Sequence, residues 1–199
     1  MLLSLSHKFI FVANLKTAST AIEAAIGHTA EIKVAATKFG KHDGLSAISN
    51  KFSWIKRYVP YEEFFVFGVV RDPVDYLLSL YNSHQKPAFD GKQQSTKGMS
   101  FDEFLGPWCE RSWQARPQRK RFEDEHGRLK ISYLIDLATL ADEFPKICDR
   151  LELGRVELGH KNESPPVLKR NDLTSAQIEK VKAAYRGDYE LIRDRPRFP

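Results

Sequence analysis

The stretch Phe9-Ile-Phe-Val-Ala-Asn-Leu-Lys16-Thr-Ala-Ser-Thr-Ala-Ile-Glu-Ala-Ala-Ile-Gly27 constrains the fold more than any other part of the chain. Phe9 to Ala13 is a short apolar run of β-forming residues, which reads as a buried strand. The chain then turns through Asn14-Leu15-Lys16-Thr17 and becomes helical from about Ala18. Ile22, Ala25 and Ile26 recur at helical spacing, and Gly27 stands where a helix stop is expected. A lysine and the hydroxyls of Thr17, Ser19 and Thr20 are thus gathered at a helix start. Helix N-termini present unbonded N–H groups and partial positive charge, so such a corner suits a phosphate-like anion. It is not a Walker A loop, whose G-x-x-x-x-G-K-[ST] glycines wrap backbone around a triphosphate. Taken alone, the segment is explained equally well by a buried strand feeding an ordinary helix, with Lys16 in solvent.

A second corner follows. Phe64-Phe-Val-Phe-Gly-Val-Val70 is another buried-strand run, and it ends at Arg71-Asp72-Pro73. Asp72 is a good N-cap and Pro73 suits a first helical turn, so a helix is expected from Pro73 to about His84. Asp75, Ser79 and Asn82 fall on one face of it, and Leu77, Leu80, Tyr81 and His84 on the other. An arginine at the carboxyl end of a buried strand lies at the crevice where open α/β sheets bind ligands. The competing explanation is a surface ion pair of Arg71 with Asp72 or Asp75.

Together the two corners resemble the sulfotransferases that use 3'-phosphoadenosine-5'-phosphosulfate. The family's P-K-T-G-[TS]-[TS] loop is matched by Leu15-Lys16-Thr17-Ala18-Ser19-Thr20, and its R-[DN]-P-x-x-x-x-x-S-x-Y signature by Arg71-Asp72-Pro73 through Ser79 and Tyr81. The resemblance implies that Lys16, Thr17, Ala18, Ser19 and Thr20 bind the 5'-phosphosulfate and that Arg71 and Ser79 bind the 3'-phosphate. Leu15 replaces the usual proline and Ala18 a common glycine. Gly40-Lys41-His42 ahead of a helix, the His160-Lys-Asn162-Glu-Ser164 segment and the Gly187-Asp188-Tyr189-Glu190 tail are similar to the carbohydrate-type and small bacterial branch. By that likeness Asn162 and Ser164 approach the nucleotide. The chain departs from the branch at Leu134-Ile-Asp-Leu137, where relatives often carry Arg-x-Glu.

The chemistry fits without the resemblance. Sulfuryl transfer, like phosphoryl transfer, depends on in-line positioning and charge stabilisation. A sulfonate carries less charge than a triphosphate, so a lysine and helix-end amides suffice and no metal is expected. Lys16 would stabilise charge on the bridging oxygen. A base must take the acceptor's proton, and imidazole is matched to neutral pH. Among the histidines at 7, 28, 42, 84, 126 and 160, His42 is the chosen base, carried on the polar loop Lys38–Gly44. His160, Glu62 and Glu63 are the alternatives.

The remaining features set bounds. At 199 residues, one domain is expected. No run approaches the about 20 apolar residues of a membrane span. Met1–Lys8 lacks a signal-peptide pattern, so a cytoplasmic protein with reduced Cys109 and Cys148 is expected. The net charge of +5 suits an anionic nucleotide. Arg111, Arg116, Arg119, Lys120 and Arg121 beside Trp108 and Trp113 form a basic-aromatic cluster fit for nucleic acid, for a sugar chain, or for solvent alone. Pro87–Gly98 has loop composition and is a candidate lid, with residues 85–98 expected to be mobile. Further strands are expected at Lys130–Leu137 and Arg155–Leu158. Further helices are expected at Thr139–Leu151 and from Thr174-Ser175. The expected fold is α/β: a P-loop-like, mainly parallel sheet with helices on both faces. The expected partner is a small-molecule or carbohydrate acceptor, with neither nucleic acid nor membrane. A nucleotide or small-molecule kinase and a nucleic-acid-binding module remain the other two classes.

Overall fold

The computed structural model describes residues 1–159 and 166–198. Among these, five strands form one sheet: β1 (Leu2–Ser4), β2 (Phe9–Val12), β3 (Ile32–Lys33), β4 (Phe65–Val70) and β5 (Tyr133–Asp136), in the order β3-β1-β2-β4-β5. The flanking helices are α1 (Ser19–Ile26), α2 (Leu45–Lys51), α3 (Pro73–Ser83), α4 (Leu140–Arg150), α5 (Ser175–Ala184) and α6 (Arg186–Arg193).

β2, β4 and β5 are parallel, with Phe9 opposite Phe65 and Phe67 opposite Tyr133. β1 runs antiparallel to both β2 and β3. The sheet is therefore mixed: four of the five strands run in one direction, and β1 alone is reversed. The cause is local. Only a short turn separates β1 from β2, and so short a link joins antiparallel neighbours, whereas parallel ones need a crossover. The unbroken apolar runs of β2 and β4 reflect burial on both faces. Phe11 and Phe67 meet at 5.1 Å between ring centres. Gly68 makes room for Phe122, whose ring would lie 2.5 Å from any Cβ placed there.

Residues 155–158 form no strand. The outer side of β5 is taken instead by the C-terminal tail. Leu134 N donates to Pro196 O at 2.9 Å, and the Phe198 ring lies against Tyr133 and Phe65.

The helix starts follow their caps. Asp72 accepts from Val74 N and Asp75 N at the head of α3, with Pro73 in its first turn. Thr174 and Gln177 form a reciprocal capping box on α5, and Ser100 with Glu103 forms another on a short helical turn. Buried residues of α3 (Tyr76, Leu77, Leu80, Tyr81) pack with Phe101, Phe104 and Trp108, and with Val181 and Tyr185 of the C-terminal helices, in a second core. The segment after α3 is tied back to it, since Thr96 donates to Tyr81 O at 2.7 Å and its backbone amide to His84 O. No helix among the described residues is long and apolar enough to cross a membrane.

Candidate functional site

The first corner is built on buried Asn14. Its amide donates to Val69 O at 3.2 Å and to Gln118 Oε1 at 2.9 Å, while its own carbonyl oxygen accepts from Leu15 N. Lys16 and Ala18 both have φ of 57°, in the left-handed region. These two bends turn the chain around Thr17 and into α1, which begins without a side-chain cap. An L-residue in this conformation costs on the order of 1–2 kcal/mol, and glycine escapes that cost. Ala18 occupies the position where glycine is common in the similar loops, and it keeps the glycine geometry with an alanine. Ala18→Gly is therefore expected to be tolerated, with thermal stability unchanged or raised by up to about 1 kcal/mol; a clear fall in melting temperature would contradict this origin of the strain.

Arg71 emerges from β4 beside this loop. Its Nη1 donates to Lys16 O at 3.4 Å, while its backbone N–H and C=O are both bonded to the Gln118 side chain. Asp72 and Asp75 do not hold Arg71 as a surface ion pair. Both carboxylates pair with Arg170, at 2.8 and 3.1 Å. Asn82 then ties residues 167 and 168 to α3 through both of its side-chain atoms. Nothing local in the sequence signals these long-range partners.

His42 reaches the same place from the loop ahead of α2. Its Nδ1 lies 2.7 Å from Ala13 O, at the end of β2. A carbonyl only accepts, so Nδ1 carries the proton and Nε2 the lone pair. Burial holds the imidazole pKa below its ordinary 6.5. The Ala13 bond opposes that shift, and the Lys41 and Arg121 charges add to it. Arg121 donates to His42 O and lies over the Trp113 ring at 5.0 Å. Gly44 lets this loop approach residue 121 closely, since a Cβ there would stand 3.2 Å from Arg121 Cα. Lys41 bonds to buried Glu23 at 2.8 Å and to Thr20 Oγ1 at 3.3 Å.

Lys16, Thr17, Ala18, Ser19, Thr20, His42, Arg71 and Ser79 all border one open cleft of about 1560 Å³. The face of α3 bearing Asp75, Ser79 and Asn82 forms one wall, and Leu140, Phe144 and Cys148 of α4 contribute an apolar one. Residues 154–159, Pro166 and residues 168–170 also border it. Glu62 and Glu63 lie on a turn before β4, at the end of that strand away from the cleft, and Glu63 pairs with Lys8. His160, Asn162 and Ser164 fall outside the described residues. In the basic cluster, Arg119 and Lys120 both pair with Glu123, and burial lowers the Arg121 pKa. Three of its five cations are thus engaged within the fold. Both thiols are free, and burial pushes Cys109 up to about 12 and Cys148 up to about 11.

A sequence model of the sulfotransferase family matches residues 2–192. The match spans nearly the whole chain and defines a transferase of sulfuryl groups. The chain belongs to the sulfotransferase family. No curated protein and no solved structure matches it.

Proposed function

We propose that the protein transfers the sulfuryl group of 3'-phosphoadenosine-5'-phosphosulfate to a hydroxyl acceptor, a carbohydrate by likeness of branch. The observation that carries this reading is the convergence of the Lys16 loop and Arg71 on one cleft, with the Arg71 guanidinium 3.4 Å from the Lys16 carbonyl. In this reading the uncapped start of α1, Lys16 and the hydroxyls of Thr17, Ser19 and Thr20 hold the 5'-phosphosulfate. Arg71 and Ser79 hold the 3'-phosphate. Asn162 and Ser164 complete the nucleotide site.

The acceptor oxygen attacks sulfur in line as the bond from sulfur to the 5'-phosphate oxygen breaks. The leaving product is 3'-phosphoadenosine-5'-phosphate, and Lys16 stabilises the charge that gathers on its bridging oxygen. The acceptor proton passes to His42 Nε2. With its pKa below 6.5, His42 is a base in its active form at neutral pH.

The test is calorimetric titration with 3'-phosphoadenosine-5'-phosphate, with and without Mg²⁺, beside ATP. Tight binding that ignores magnesium supports the reading, and a preference for Mg-ATP overturns it. His42→Ala is expected to lower kcat by about 10²–10⁴-fold with little change in nucleotide affinity. In the native enzyme the acid limb of kcat/KM should lie below pH 6.5, the ordinary imidazole value. The folded imidazole binds its proton less readily than the unfolded one. His42 therefore costs no stability above 6.5 and lowers stability as pH falls below it.

A further inference from the structure

We propose that Gln118 is a positioning residue that fixes the separation of the two anion-binding loops, so that one ligand's 5'- and 3'-anions are bound together. This rests on the nucleotide reading above. The backbone ladder between β2 and β4 ends at Val12 and Gly68. Beyond it the two chains diverge, one into the Lys16 loop and the other toward Arg71 and α3. Gln118, fully buried, spans the divergence with a single side-chain amide. Its Oε1 accepts from Asn14 Nδ2 at 2.9 Å and from Arg71 N at 3.0 Å, and its Nε2 donates to Arg71 O at 2.7 Å. Asn14 extends the link by accepting from Leu15 N, one residue before Lys16.

The chemistry requires a glutamine. A carboxylate at 118 would accept both bonds but donate none to Arg71 O, and an apolar side chain would do neither, leaving buried polar groups without partners. Gln118 is itself held from outside the sheet. Asp188 of α6, 1% exposed, accepts from the backbone N–H groups of Gln118 and Arg119, each at 2.8 Å. The clamp therefore refers both loops to the C-terminal helix. Gln118 does not border the cleft, so it acts through Asn14 and Arg71 and not on the ligand.

The test compares two ligands on the full chain by calorimetry: 3'-phosphoadenosine-5'-phosphate, which carries both anions, and adenosine 5'-phosphate, which lacks the 3'-phosphate. The wild-type protein should bind the first much more tightly. In Gln118→Met the ratio of the two affinities should fall by about tenfold or more, a change of 1.4 kcal/mol, with binding of adenosine 5'-phosphate nearly unchanged. Gln118→Glu, which keeps the accepted bonds, should fall between, and it serves as the informative variant if Gln118→Met does not fold. A purely structural role would lower the melting temperature and weaken both ligands alike. Folded variants with the wild-type ratio would overturn the proposal. Wild-type protein that binds neither ligand would instead remove the nucleotide reading on which it rests.

Discussion

Lys16→Ala is expected to lower single-turnover sulfuryl transfer by about 10²–10³-fold, the scale seen when one donor to a developing anion is removed. The loop itself should survive. Residue 16 already adopts the left-handed conformation as a lysine, and alanine at that site keeps the same backbone preference. The buried Asn14 bonds that shape the turn do not involve the Lys16 side chain. Quenched-flow measurement with saturating donor separates the effect from binding. Because the ammonium is assigned to charge that grows in the transition state, kcat should fall more than donor affinity. A Lys16→Ala enzyme with full turnover would place charge stabilisation elsewhere in the cleft.

Arg71→Ala is expected to weaken binding of 3'-phosphoadenosine-5'-phosphate by about 10–150-fold, from the roughly 1.5–3 kcal/mol of a hydrogen bond to a charged group. Adenosine 5'-phosphate, without the 3'-anion, should bind as before. The backbone of residue 71 stays anchored by Gln118 in the variant, and α3 keeps its Asp72 cap. The loss should therefore appear in titration calorimetry without a matching fall in melting temperature. Arg71→Lys should restore only part of the affinity, because an ammonium lacks the planar fork that meets a phosphate with two bonds. Equal losses for both nucleotides would mean that Arg71 shapes the loop instead of reading the 3'-phosphate.

Both corners were legible because their signals are local. The apolar run of β2, the Lys16–Thr20 sequence and the Asp72-Pro73 helix start each lie within a few residues of one another, and each formed where expected. The order of the two corners carried the family resemblance. Other parts were illegible for a physical reason. β1 and β3 are three and two residues long, too short for a periodic pattern, and they exist because a neighbouring edge is there to pair with, β2 for β1 and β1 for β3. The Asp72 and Asp75 pairing with Arg170 joins residues far apart in sequence, so the reading that set Arg71 against those carboxylates had no means of finding their partner. Gln118 and Asn14 carried no motif at all. Their importance comes from burial and from the divergence of two strands, neither of which a linear pattern records. Gly27 stands after α1 as expected but with φ of −65°, so it continues into a further turn and is not a left-handed stop.

The tail along β5 bears on how the protein behaves in concentrated solution. β5 is the outermost strand on its side of the sheet, and bare strand edges recruit strands from other molecules. Pro196 accepts the outward-facing Leu134 amide, and Phe198 covers the neighbouring Tyr133 and Phe65 rings. A proline on that side offers no N–H for a further strand to pair with. The tail thus acts as a guard against edge-to-edge aggregation, and the sheet ends there by chemistry as well as by topology.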